Sequence, residues 1–174
     1  FIVIAMNQAD VQAAVMFAST CGHKVTARSG GHSYVGSSSC DGGVTSCIQL
    51  NVGNLNHVDV ALPKVHVGPG ASLADLYPVL VANNVFIPSG ECADVAVGGH
   101  GKLGYIWYEL ECVCLKFSCA HVSTRYLVQT GGYGVWMRQF GLFNDYVSTF
   151  DIVLSDGSLV TVTHPENRVT SKFN

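Results

Sequence analysis

Arg28-Ser29-Gly30-Gly31-His32-Ser33 is the stretch on which the reading of this chain turns. It follows Lys24 to Ala27, a short, partly β-branched run that reads as a strand. A cation, two hydroxyls and two side-chain-free amides therefore arrive together at a strand end. Successive unobstructed backbone N–H groups form a concavity suited to a pyrophosphate, and Arg28 adds positive charge beside it. An ordinary turn with a surface histidine uses the same residues. Two further clusters, Gly98-Gly99-His100 and Gly131-Gly132-Tyr133-Gly134, extend the pattern. Three places where backbone can approach a ligand closely suggest a large, extended cofactor.

Working outward, Asn7 caps a predicted helix with Asp10 at its third position. Val11, Ala14, Val15 and Ala18 then share one face, and Gly22 offers a left-handed stop. Ile48 to Val52 and Val65 to Val67 read as strands, the latter ended by Gly68-Pro69-Gly70. Ser72 with Asp75 makes a capping-box pattern for a second helix through Ala82, with Pro78 as a kink and Asn83-Asn84 as the exit. Val85 to Ile87 is a strand stopped by Pro88, and Val95 to Val97 reads as an apolar strand leading into the second glycine cluster. Tyr146 to Leu154 and Leu159 to Val162 flank Asp156-Gly157, which predicts a hairpin. Helix, strand and hairpin signals mix without regular βα alternation, so the fold class is α+β and not a doubly wound sheet.

Composition narrows the classes. At 174 residues the chain has the size of one domain, and it is 48 % apolar but only 12 % charged. Ordinary domains carry about 25 % charged residues, so a disordered chain is excluded. Nine Lys and Arg against twelve Asp and Glu give a net charge of -3, with no basic surplus for a nucleic-acid partner. The greasiest stretch, Leu103 to Phe117, is broken by Glu109, Glu111 and Lys116, so no membrane span is expected. Phe1 to Met6 is apolar without a basic flank, which does not read as a signal peptide; the chain reads as a fragment or processed product. Seven cysteines leave at least one sulfur over from internal pairing. Cys40 and Cys47 can close a small loop in an oxidising compartment, or can stand as two buried thiols.

Other candidate sites are weaker. Cys92 lies in Gly90-Glu91-Cys92-Ala93-Asp94, a predicted turn where a stabilised thiolate would be reactive, although buried inert cysteine is the commoner case. Gly99-His100-Gly101-Lys102-Leu103-Gly104 fits a dinucleotide fingerprint, but the acidic residue expected about 20 positions on is missing around Thr124, so the match is rejected. Cys112, Cys114, Cys119 and His121 are spaced unlike usual zinc modules; a small Cys/His metal-binding module stays as a rival function. No serine sits in a nucleophile-elbow context.

Six motifs in order carry a family resemblance: Arg28 to Ser33, Gly68-Pro69-Gly70-Ala71, Ile87 to Cys92, Val97-Gly98-Gly99-His100, Gly131 to Gly134, and Asp151 to Gly157. Together they resemble the PCMH-type FAD-binding domain of the vanillyl-alcohol-oxidase superfamily, above all the berberine-bridge-enzyme-like and fungal oligosaccharide oxidases. The resemblance implies two α/β lobes, residues 1–60 and 61–174, the second mainly an antiparallel sheet. It implies FAD joined to a ring nitrogen of His32 through the 8α-methyl, and in bicovalent members to the Cys92 sulfur at C6. Arg28, Ser29, Gly30, Gly31 and Ser33 would wrap the pyrophosphate. Backbone at Val97, Gly98, Gly99, His100, Gly131, Gly132, Tyr133 and Gly134 would line the cofactor, with Val153 near the adenine end. The parent enzyme is expected to oxidise a small alcohol or sugar hemiacetal by hydride transfer, with dioxygen as acceptor, and to be secreted. In such enzymes a further substrate domain supplies the base, typically a tyrosine, so no catalytic residue is assigned in this fragment, which alone is expected to be inactive. A non-catalytic relic of such an oxidase is the other rival.

One stretch departs from the family. In similar proteins the Gly-Gly-His motif runs almost directly into a Gln-Thr-Gly-Gly-Tyr-Gly-like segment, whereas Gly101 to Leu127 intervenes here, holding three of the seven cysteines. Gly101-Lys102-Leu103 can be encoded with the splice-donor sequence GTAAGT, and Tyr126-Leu127-Val128 with an acceptor-like CTAG. The stretch therefore reads as an intron translated in frame. On this reading the chain folds poorly or holds FAD weakly, and a version without the stretch does better.

Overall fold

The computed structural model describes residues 1–40, 46–100, 107–111, 113–114 and 132–163. The first strand, β1 (Ile2–Ile4), leads into Asn7, whose backbone is extended and whose side-chain oxygen accepts the Asp10 N–H at 3.0 Å. The Asp10 carboxylate accepts in return from the N–H groups of Met6 and Asn7, so two orphan donors are satisfied at the start of α1 (Gln8–Thr20). Val11, Ala14 and Ala18 are its buried face, and Gly22 leaves it at φ +69°. Next come β2 (Lys24–Arg28) and β3 (Cys47–Asn51). The three strands form a parallel sheet in the order β1-β3-β2, with Arg28 opposite Asn51. Ala5, Val11, Ala14, Leu50, Val52 and Leu55 fill the core beneath it.

From Val58 onward the pairing turns antiparallel. Strands β4 (Val58–Ala61) and β5 (Lys64–Val67) form a hairpin. Ser72 and Asp75 then make a second reciprocal box for α2 (Leu73–Ala82), which carries Pro78 inside it and exits through Asn84 at φ +55°. Leu73, Leu76 and Leu80 of this helix pack with Val65, Val67, Ile87, Val97 and Phe143 in the larger core. The chain continues through β6 (Val85–Phe86) and a single helical turn, α3 (Val97–His100). Then follow β7 (Trp107–Glu111), β8 (Val113–Cys114), the short α4 (Met137–Phe140), β9 (Val147–Val153) and β10 (Leu159–Thr163). The five-stranded sheet runs β10-β9-β7-β5-β4, and β6 pairs with β8.

The mixture of a parallel and an antiparallel sheet with packed helices is α+β, as expected, and the change of sheet falls between Asn51 and Val58. The Asp156-Gly157 hairpin is present: Leu159 faces Val153, Gly157 takes φ +82°, and the Asp156 carboxylate accepts the Ser158 N–H and hydroxyl. Those two hydrogen bonds stabilise the ionised carboxylate and lower its pKa. The turn docks on α1, where the Gln12 amide donates to the Gly157 carbonyl at 2.9 Å.

One expectation is corrected. Val95 to Val97 is not a strand. The Val95 carbonyl accepts the Leu73 N–H and the Val97 N–H donates to Ala71, which ties the run to the start of α2; Ala96 makes only an isolated bridge with Ser72, and the chain then coils into α3. Within Gly101 to Leu127, β7 is described, and it pairs with β5 on one side and β9 on the other. Among the described residues, no helix is long and apolar enough to cross a membrane.

Helix α2 gives a first prediction. Ser72→Ala removes the acceptor for the Asp75 N–H and should lower stability by about 1 kcal/mol, read as a lower urea midpoint at unchanged slope.

Candidate functional site

Strand β2 delivers Arg28 to the end of the parallel sheet, and the chain leaves it through Ser29 to Ser33. The Ser29 hydroxyl donates to the Pro69 carbonyl at 2.5 Å, and the Gly98 N–H donates to the same oxygen at 2.9 Å. One carbonyl thus holds the first two glycine clusters together. Gly30 sits so close to the second segment that a Cβ there would lie 3.0 Å from the Ala96 nitrogen and 3.2 Å from the Asp94 oxygen. These glycines permit backbone to touch backbone.

Within the first loop, Gly31 takes φ +74°, and the Arg28 guanidinium lies over it while reaching the Ser39 hydroxyl at 3.4 Å. Ser33 and Ser37 hydroxyls bond at 2.6 Å, and a Cys40–Cys47 disulfide closes the loop onto the start of β3, which settles the two alternatives left open by the sequence. Among the described residues, nothing accepts from the backbone N–H groups of Gly30, Gly31 and His32. His32 is exposed.

The second loop is held more tightly. Tyr77 of α2 places its hydroxyl 2.8 Å from the buried Ser89 Oγ and donates to the Gly90 carbonyl. The Gly90 N–H donates to His100 Nε2 at 3.0 Å. Cys92 follows as a free, half-buried thiol against the larger core, its carbonyl accepting the Val95 N–H. Burial raises the Tyr77 pKa; the Ser89 hydrogen bond opposes that rise, and the nearby Glu91 carboxylate reinforces it. Glu91 Oε1 is buried with no partner among the described residues. His100 is 4 % exposed and burial lowers its pKa to about 4, so the imidazole is neutral at physiological pH. The sign follows: an unfolded histidine titrates near 6.5, so this residue withdraws stability as pH falls from about 6.5 towards about 4.

The third cluster lies against the second. Gly132 donates its N–H to the His100 carbonyl at 2.9 Å and accepts from Phe143 N–H at 3.0 Å. At φ +76° it has no room for a side chain, because a Cβ would run into the Phe143 Cβ. Gly134 backs onto the Ser89 carbonyl in the same way. Their lack of side chains therefore serves protein contacts, where the sequence had suggested room for a ligand. Gly99 differs, since among the described residues nothing stands within 4 Å of its Cβ position.

The structure thus gathers Arg28 to Gly31, Asp94 to His100, and Gly132 to Gly134 around one region, with Ser89 and Gly90 against Gly134. It brings together the loops of His32 and Cys92 through Gly30, Asp94 and Ala96. Tyr133 is exposed, Val97 is fully buried core, and Val153 packs with Val3, Val15 and Leu159 against the smaller core. Gly131, Cys112, Cys119 and His121 lie outside the described residues, and Cys114 is placed only as part of β8. The described residues contain no group of three that could hold a metal ion. Tyr77 and Phe143 escaped the sequence reading, because each acts through contacts between segments that carry no local signature.

The N–H groups of the first loop that have no acceptor among the described residues, the space beside Gly99 and the free Cys92 thiol of the second loop fit a phosphate-bearing cofactor with a reactive ring. A family model described as an FAD binding domain matches residues 1–105, so the chain belongs to that family of flavin-dependent oxidoreductases. Within it, the relatives are berberine-bridge-enzyme-like proteins and oligosaccharide oxidases of PCMH type. The chain is 31 % identical over 164 residues, 93 % of its length, to an FAD-linked oxidoreductase of Aspergillus niger, pynB. It is 31 % identical to Berberine bridge enzyme-like 4 of Arabidopsis thaliana over 91 % of its length. It superposes on the xylooligosaccharide oxidase of Myceliophthora thermophila, solved with xylobiose, at a TM-score of 0.72, with 27 % identity over 95 % of this chain and 30 % of that one. The chain spans about a quarter of the length of the two curated relatives, 25 % of each.

Proposed function

We propose that this chain is the FAD-binding part of an oxidase that takes a hydride from an alcohol or sugar hemiacetal, with dioxygen as the final acceptor. The observation that carries the reading is the meeting of the two loops: one bears unclaimed amides and an exposed imidazole, the other a free thiol, and Gly30 packs against both Asp94 and Ala96. The parallel sheet and the antiparallel sheet would be the two lobes between which the cofactor lies. When bound, FAD would supply the two-electron acceptor. The protein's own part is to hold it. The amides of Gly30 to His32, with Arg28 beside them, would bind the pyrophosphate. The His32 imidazole and the Cys92 sulfur can act as nucleophiles, and each would make one bond to the ring. Each such bond replaces a C–H and an N–H or S–H, releasing two protons and leaving two electrons for dioxygen to remove.

The xylobiose seated in the similar oxidase supports a carbohydrate as the substrate class. No residue of this chain is assigned as substrate base; that group and the sugar pocket would come from a further domain, and the chain alone would be inactive. The Cys40–Cys47 disulfide supports an oxidising, extracellular setting.

Acid precipitation of the protein expressed with FAD tests the reading. Yellow colour should stay with the pellet, persist in His32→Ala and in Cys92→Ala, and wash out in the double variant. A colourless wild-type pellet would sink the covalent assignment.

A further inference from the structure

We infer that His100 is a positioning residue whose Nε2 lone pair holds the Gly90 amide and thereby fixes the turn that presents Cys92. This goes beyond the proposed cofactor role, in which only the backbone at His100 was expected to matter, and its flavin arm rests on that role.

The geometry is specific. His100 closes α3, and its carbonyl is engaged by Gly132, so its backbone is anchored before the side chain acts. Its ring stands edge-on to Phe143, centroids 5.6 Å apart at 64°, which fixes the ring plane. Nε2 then accepts the Gly90 N–H at 3.0 Å, which requires an unprotonated Nε2 and places the neutral ring's proton on Nδ1. Glycine at 90 suits this close approach, since a Cβ would lie 3.0 Å from His100 Cε1 and would press on the ring. On the far side of the same residue the Tyr77 hydroxyl donates to the Gly90 carbonyl. The peptide groups flanking Gly90 are therefore gripped by one side chain from α2 and one from α3, two residues before the sulfur. Glu91 and Cys92 are the titratable groups that follow in the turn, with Tyr77 facing them from α2. Burial alone sets the state of His100, and at neutral pH its acceptor lone pair is present.

The test compares His100→Leu, which removes the acceptor, with His100→Gln, whose side-chain oxygen reaches to about the same place. Residue-resolved mass spectrometry reads two quantities in the full chain: the iodoacetamide alkylation rate of Cys92 before FAD is added, and the fraction of Cys92 carrying flavin afterwards. Cys21, exposed and free, is the internal control. In His100→Leu the Cys92 alkylation rate should rise by about three- to ten-fold, the scale of one lost hydrogen bond, while Cys21 is unchanged. The flavin-bearing fraction should fall, and His100→Gln should restore both. An unchanged Cys92 rate in His100→Leu overturns the inference. So does an equal rise at Cys92 in both variants with a lowered urea midpoint, which would mark a merely structural role. If wild-type Cys92 never carries flavin but the alkylation pattern holds, the thioether reading fails and the positioning role of His100 stands.

Discussion

Deleting Gly101 to Leu127 should lower the unfolding midpoint sharply, against the expectation raised by the sequence. Strand β7 is registered with four residues of β5 and four of β9. At about 1 kcal/mol net for each backbone hydrogen bond, losing both ladders costs on the order of 4–8 kcal/mol, comparable to the whole stability of a domain. Nor can the gap simply close. Both neighbours run antiparallel to β7, so β5 and β9 are parallel to each other and would need a new register. The glycine clusters should fare better, because the His100 carbonyl already accepts the Gly132 N–H and residues 128–131 suffice to link them. The expected result is a variant with a collapsed urea midpoint and lost near-ultraviolet dichroism. A midpoint equal to or above that of the intact chain would show that the sheet does not depend on β7, and would favour the intron reading. Sequencing the transcript decides that origin separately: a mature message that retains these codons defeats it.

What the sequence made legible was mostly local chemistry. Both capping boxes are written in four consecutive residues each, and the Asp156-Gly157 turn in two, so each is decided before any long-range contact forms. Strand β1 was not read because three apolar residues without alternation have no period; Ile2 and Ile4 stay more than half exposed, and only pairing with β3 makes the segment a strand. Val95 to Val97 failed for the opposite reason: its composition suits a strand, but tertiary hydrogen bonds to Ala71 and Leu73 claim its backbone. At the site, glycine marks close approach without saying what approaches. Gly98 and Gly30 meet protein backbone, Gly132 meets Phe143, and Gly99 has open space beside it among the described residues.

Phe143→Ala should be the costliest single substitution in the larger core, by about 3–5 kcal/mol. The ring is fully buried and heads the largest buried side chains, so its removal leaves a cavity that the fixed backbone around it cannot fill. That backbone is fixed by the site itself: the Phe143 N–H donates to the Gly132 carbonyl, and the Gly132 N–H donates to His100. Phe143→Leu keeps most of the volume and should cost well under half as much, about 1–1.5 kcal/mol. Gly132→Ala approaches the same place from the other side, adding about 1 kcal/mol of left-handed strain to a collision with the Phe143 Cβ. Because that collision involves the Cβ, which alanine retains, combining Gly132→Ala with Phe143→Ala should bring little relief. Urea unfolding of the four variants checks the set. A Phe143→Ala cost below about 1 kcal/mol would mean that this ring does not back the His100 imidazole, and the core and the candidate flavin site would have to be argued apart.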